Sequence, residues 1–517
     1  MSANNITLLD SRGRPFQDTA HHSASQWRKP MRGWNPQLNS ADGDLLSELP
    51  TIVARSLDLT RNNGVAAGYP QTLVDNIVGA ELRLSSKPDY RALKMSKEWA
   101  DQWSQEVEAL WRGYSQSEEC SAARDLNLGS QCQMVMRTGV TNGEALAIPL
   151  WLEDRKYKTA IMLIDPSRLS NPNRQLDSKN LRGGIRINDY GEALGYCIQD
   201  EAPPISMYGF GFKWEEIPAR TAWGRKRVIH VHDKERTGQT RAKPFVSSVM
   251  GDFKRAGQFQ NVTLDTTVAN SMIAAFIKTT LDSEQLSSAF GDSYDDYNQT
   301  RQTYNDVRME GGGGLIPLQP GDEVQAFLPN NPGADFSQFM EATYRNIAAG
   351  LHIPYELLLK DFSKTSYSSA RAAMLEAWRF FLGRRHWLAN YFMQPVYELW
   401  LEEIINDRLI DAPGFYDNIK AYSKAKWIGP PRGWVDPAKE VVGAKLRMEY
   451  NLSTQEDECA EQGKDYEEVQ DQRFSELQRA LKMTQAAGLP DFVAYQIAGF
   501  TQIDPATIQT AMQSPKD

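Results

Sequence analysis

The sequence predicts an α+β protein whose strands cluster in the first half, with helices before and after them. Three observations carry this. Residues 97–114 set Trp99, Trp103, Val107, Leu110, Trp111 and Tyr114 at steps of three and four, one face of a helix. Between 133 and 233 that period gives way to short runs rich in Ile, Leu, Val and aromatics. From 245 onward the helical period returns, broken once by a glycine- and proline-rich stretch. The chain has 517 residues, 41% of them hydrophobic, enough for roughly two to four ordinary domains.

Residues 1–44 are polar and carry Arg12, Arg14, Arg28, Lys29 and Arg32 without sustained periodicity, which predicts a flexible arm. His21-His22 lies in this arm and reads as solvated. Asp42-Gly43-Asp44 reads as a turn or helix start rather than a magnesium site. From Leu45 the spacing of Leu45, Leu49, Ile52, Val53 and Ser56 predicts a helix. Strands are expected at 144–151, 157–164, 184–187, 194–198 and 227–232. Asn188-Asp-Tyr-Gly191 is a turn, so 184–198 should form a hairpin.

Residues 245–281 contain no proline and space Val246, Val249, Phe253, Ala256, Leu264, Val268, Met272 and Ala275 helically. A helix of that length would measure about 55 Å. Residues 282–334 hold the four glycines at 311–314 and Pro317, Pro320, Pro329 and Pro332, which predicts a compact, loop-rich insertion. A second helix then starts at Asp335, with Gln338 three residues on as in a capping box, and ends at Gly350 and Pro354. Its face is Phe336, Phe339, Met340, Ile347, Ala348 and Leu351. Two antiparallel rods with a module at their tip expose apolar stripes, which predicts burial against copies of the same chain.

Residues 370–408 read as one long helix kinked near Pro395. Ser366 or Ser368 is its N-cap. A catalytic serine would need a base and an oxyanion hole, and no G-x-S-x-G elbow is present. Asp436-Pro437, Ser453-Thr-Gln-Glu456 and Asp465-Tyr-Glu-Glu468 open further helices, with Gly463 and Gly488 as stops and Asp504-Pro505 opening a last one. From Thr454 to Lys482 nine acidic residues face four basic ones, a net −5.

Chemical motifs are sparse. No apolar run approaches the ~20 residues a bilayer span needs, and the N-terminus lacks a signal-peptide pattern. Cys120, Cys132, Cys197 and Cys459 form no C-x-x-C pair, which argues against zinc and disulfide frameworks and for synthesis in a reducing cytoplasm. The glycines at 311–314 precede Leu-Ile-Pro, not the Lys-Ser/Thr of a phosphate-binding loop. His230-Val-His232-Asp233 puts two imidazoles on one strand face and reads as a strand-end feature rather than a metal site. The expectation is no catalytic constellation, no cofactor and no metal. The net charge of −9 excludes a uniformly basic nucleic-acid binder, while Lys360 and Lys364, ahead of the long helix, offer local phosphate contacts.

Several segments together resemble the lambda-type phage portal family: Arg55-Ser-Leu-Asp-Leu-Thr-Arg-Asn-Asn-Gly64, Ile77-Val-Gly-Ala-Glu-Leu-Arg-Leu84, Ile164-Asp-Pro-Ser-Arg-Leu-Ser-Asn-Pro-Asn173, Gly191-Glu-Ala-Leu-Gly-Tyr196, Ser366-Tyr-Ser-Ser-Ala-Arg371 and Trp427-Ile-Gly-Pro-Pro431 with Asp436-Pro437. Their order and spacing, over roughly residues 30–475, are specific as a set. The resemblance implies a portal fold with an α/β wing at 45–244, a helical stem at 245–281 and 335–354, and a small α/β clip at 282–334. It implies a tunnel loop at 355–368, a long wing helix and return at 369–435, and a helical crown at 436–517.

It also implies a homo-oligomeric ring, usually a dodecamer, at one capsid vertex of the virion. Double-stranded DNA would be packaged and ejected through it, with Lys360 and Lys364 facing the DNA in the tunnel loop. The implied partners are the terminase large subunit, the major capsid protein and scaffold, and a head-completion adaptor, with no membrane. An acidic ring would repel phosphates and let DNA slide. The portal itself would not hydrolyse ATP. Two other readings stand beside it. One is a serine hydrolase using Ser366 or Ser368 with His352 or His386 as base; the other is a nucleic-acid-processing enzyme with an acidic metal site.

Overall fold

The computed structural model describes residues 33–200, 213–272, 335–433 and 437–499. The expected clip, the end of the first rod, the Asp504-Pro505 helix and most of the N-terminal arm lie outside the described residues. The fold is a helix-rich α+β arrangement. Its strands are β1 (Arg83–Ser86), β2 (Glu144–Trp151), β3 (Thr159–Ile164), β4 (Leu181–Arg182), β5 (Ile185–Ile187), β6 (Ala193–Gln199), β7 (Trp214–Pro218), β8 (Ile229–His232) and β9 (Ala425–Ile428). They make three antiparallel sheets: β1-β9, β3-β2-β8 and β4-β5-β6-β7.

The first helices are α1 (Ala41–Leu45), α2 (Leu49–Asn62), α3 (Gly64–Ile77), α4 (Lys97–Ser115) and α5 (Leu128–Asn142). The helix expected from Leu45 is thus two. Residues 39–45 are not free arm: Asp42 accepts from the Thr240 backbone N–H at 2.8 Å, and Arg236 donates to Asp44 at 2.6 Å. Helix α4 forms where the tryptophan stripe predicts, capped by Ser96. Its Trp111 meets Trp400 edge-on at 5.0 Å and Trp427 at 5.8 Å, so three distant segments share one aromatic core. The hairpin β5–β6 turns through Asn188 and Gly191, whose φ of +81° suits glycine.

The two rods are α6 (Met250–Met272) and α7 (Asp335–Gly350). The expected helix from 245 begins later: Phe245–Ser248 is a 3₁₀ turn, and Val249 leaves the helical region before α6 starts. Asn346 donates to Asp252 at 2.9 Å, while Phe259 stacks on Phe336 at 5.4 Å. Partners fall in number as α6 rises, so the rods are antiparallel. Near the body, Phe253, Ala256, Ile347, Ala348 and Leu351 are buried. Gly350 lets the rods approach here; a Cβ would sit 2.5 Å from Val249 Cγ1. Farther out the burial stops: Val262 is 62%, Leu264 66% and Phe339 55% exposed.

The short helix α8 (Tyr355–Leu359) follows, then α9 (Tyr367–Leu388), a π turn at Ala389–Met393, and α10 (Gln394–Asn406). Where a kink near Pro395 is expected, the helix carries this π turn just ahead of the proline, which has no N–H for the carbonyl four residues back. Among the described residues, buried Arg385 has only carbonyl acceptors, those of Asn76, Ile77 and Pro430, all at 3.0 Å. It thus ties α9 to the C-terminus of α3, where carbonyls lack intrahelical donors, and burial pulls its pKa down to about 10.

The C-terminal helices are α11 (Pro437–Glu449), α12 (Gln455–Glu461), α13 (Tyr466–Ala486) and α14 (Asp491–Ile497). Asp465 caps α13 as expected, accepting from the N–H groups of Glu467 and Glu468. The cap of α12 is Thr454, not Ser453: Thr454 accepts from Asp457 N–H at 3.1 Å and donates to the Asp457 carboxylate at 2.8 Å. The box is shifted by one residue because Asp457 reciprocates where Glu456 was expected. Among the described residues no helix is long and apolar enough to cross a membrane.

Candidate nucleic-acid interface

The segment 355–368 is only partly loop. Helix α8 ends at Lys360, which adopts φ +56° and donates its backbone N–H to Glu356. The irregular part is 360–366. Asp361 accepts from Ser363 N–H at 3.0 Å, and hydrogen bonds from Ser363 hold its carboxyl below the usual range. Thr365 donates its hydroxyl to Glu356 at 3.2 Å. Ser366 closes the loop by capping α9, accepting from Ser369 N–H at 3.3 Å.

The two lysines differ. Lys360 is exposed and has no ion pair among the described residues. Lys364 lies 3.2 Å from the Glu341 carboxylate on α7, which also holds Arg345 at 2.7 Å. Arg345 in turn lies over the Tyr355 ring at 5.4 Å. These residues line a cavity of about 170 Å³ between the end of the second rod and the loop. Sequence reasoning missed Glu341. Its only local signal is the i,i+4 spacing to Arg345, which says nothing of Lys364.

A serine hydrolase has no support in this geometry. His386 stands on the same helix as Ser368, about 27 Å along its axis at 1.5 Å per residue. The His352 ring packs beside Phe380 at 5.8 Å, about 18 Å along α9 from Ser368 by the same rise.

His230 and His232 stack at 3.9 Å on β8, but as part of a buried ion cluster. His230 Nε2 lies 2.9 Å from Glu144, which also binds Arg241; Arg241 donates further to the Leu169, Gly183 and Pro166 carbonyls. Burial alone would raise the Glu144 carboxyl; the Arg241 charge and His230 overrule it and hold it at about 2. Burial, with the neighbouring His230, drives His232 down to about 3. Asp233 pairs with Arg384 instead of completing a ligand set. Among the described residues no group of three His, Cys, Asp or Glu is placed to hold a metal.

Residues 28–385 match the family described as phage portal protein, lambda family. The chain belongs to that family. It is 35% identical over 480 residues to the portal protein of Escherichia phage N15, covering 89% of both chains. It is 34% identical over 490 residues to portal protein B of Escherichia phage lambda, covering 91% of this chain and 90% of that one. A solved neck of a native gene transfer agent particle overlaps 69% of this chain and 83% of its own at TM-score 0.34 and 12% identity, too distant to carry detail. The portal protein's motifs at 55–64, 77–84, 164–173, 191–196 and 366–371 lie within the matched region. The motif at 427–431 lies beyond it but inside the fold: Leu84 pairs with Trp427 and Arg83 with Ile428 across β1 and β9. The family is one of structural virion components.

Proposed function

We propose that this portal protein assembles side by side into a ring, usually of twelve in its family, at one capsid vertex, and that double-stranded DNA is packaged and ejected through the axial channel. The observation that carries the ring is the half-buried pair of rods. Beyond Gly257 no residue of α6 described for its side chain is buried, and Val262, Leu264 and Phe339 face solvent in a single chain. A neighbouring copy supplies the missing cover.

In this reading the α/β body is the wing, α6 and α7 are the stem, 282–334 is the clip and 436–517 the crown. Residues 360–366 face the channel, with Lys360 and Lys364 giving weak rings of phosphate attraction inside an otherwise acidic wall. The clip docks the terminase large subunit and later the head-completion adaptor; the outer surface meets the major capsid protein and scaffold. Catalysis, including ATP hydrolysis, is left to partners.

Mass measurement and electron micrographs of the purified chain test this. Rings with an axial hole are expected. A chain that stays monomeric even with scaffold and shell protein present overturns the reading.

A further inference from the structure

The four C-terminal helices are joined to the body in an unusual way. The main hydrophobic core gathers side chains from Leu59 through Trp427, and among the described residues none of α11 to α14 joins it. Among the described residues of the C-terminal helices only Ala480, Thr484, Ala494 and the Asp465 cap are buried. Among the described residues the side-chain hydrogen bonds to the body are instead ionic. Lys87, just after β1, reaches Glu467 at 3.2 Å and Glu456 at 3.6 Å. Lys426 on β9 reaches Asp457 at 2.9 Å. On α4, Arg112 reaches Glu468 at 3.0 Å, with Arg83 on β1 at 3.8 Å from the same carboxylate. In these pairs the cations belong to the body and the carboxylates to α12 and α13; Arg432, just after β9, also reaches Glu440 on α11 at 3.2 Å.

We propose that α12 and α13 form a charge-latched lid, held on the face built by β1, β9 and α4 by these pairs and released as one unit when the pairs are screened or broken. Exposed pairs are individually weak and salt-sensitive. A core-packed domain would not respond to salt in this way, because apolar burial is not weakened by screening. The latch is geometrically coherent: Lys87 bridges both helices, and Gly463, between them, sits where a Cβ would meet Gly429 O and Pro431 Cδ at 3.1 Å. Losing one helix's contacts therefore tilts the other away. This inference rests on contacts within one chain and is independent of ring formation.

Amine-acetylation footprinting of the full chain, read by mass spectrometry, tests it. Lys87 and Lys426 should label roughly threefold faster in 1 M than in 50 mM NaCl, as screening of partly exposed pairs implies. Lys360, exposed and without an ion pair among the described residues, should not change. The decisive variant is E467Q/E468Q, which removes partners of Lys87, Arg112 and Arg83 but none of Lys426. Unit release predicts faster Lys426 labelling in this variant at low salt, with the helical circular-dichroism signal intact. Lys426 labelling unchanged in the variant, labelling indifferent to salt, or faster labelling only together with lost helicity would each overturn the latch.

Discussion

Lys364 lies 3.2 Å from Glu341, so one of the two loop lysines already has its charge answered from within the chain. Lys360 does not. In the assembled ring, Lys360→Ala should weaken double-stranded DNA binding by about two- to tenfold and flatten its salt dependence. Lys364→Ala should do less, and Glu341→Gln should strengthen binding by freeing Lys364. Fluorescence anisotropy across a salt series measures all three. Equal losses for the two alanine variants would show that Glu341 does not shield Lys364.

Ser366 acts as a cap. Ser366→Ala should cost about 1 kcal/mol of stability in urea unfolding, and Ser366→Asp should restore most of it, because both serine and aspartate accept from the first-turn N–H groups. Serine-reactive probes should not label the wild-type protein at this position. A stability loss that aspartate cannot rescue would argue against capping.

Glu144 and Arg241 form the ionic centre of the body. Glu144→Gln leaves Arg241 buried without its charge partner and should destabilise the fold by roughly 3–5 kcal/mol. Glu144 is depressed to about 2, so its contribution is present above the ordinary carboxylate range and is lost as pH falls from about 4.5 through 2. His232, depressed to about 3, adds acid lability in a higher window: the folded state resists the proton that the unfolded chain accepts below about 6.5. His232→Phe should therefore flatten the loss of stability between pH 6.5 and 4 in chemical denaturation. An unchanged pH profile would remove His232 from this role.

Glu108 accepts from Ser86 N–H at 2.6 Å beneath the C-terminal helices. Burial, with Asp465 and Glu467 nearby, pushes its carboxyl up to about 7. A raised acid favours the folded state when protonated, so stability is fullest below about 4.5 and declines as pH rises through 7. Glu108→Gln keeps the acceptor and removes the charge. It should stabilise the protein at pH 8 by roughly 2 kcal/mol and leave pH 4.5 unchanged, as melts at the two pH values would show.

The amino-acid sequence by itself determined the local elements of this protein. The tryptophan stripe of α4, the Asn188–Gly191 turn, the Asp465 cap and the two rods are set by period and by short-range hydrogen bonding, and all are readable within a dozen residues. Family membership was legible for the same reason, as an ordered set of short motifs. Boundaries moved where two local solutions compete: Thr454 displaced Ser453 because Asp457 returned its hydrogen bond, and the 3₁₀ turn at Phe245–Ser248 displaced the start of α6. What only the tertiary structure decided are the long-range pairings. Strand β1 finds β9 more than three hundred residues away, Arg385 finds the carbonyls of α3, Glu341 answers Lys364, and four body cations meet the acidic C-terminal helices. None has a periodic signature, because each depends on where two distant backbones come to rest, and a charge or an edge strand carries no mark in the sequence of the partner it will meet.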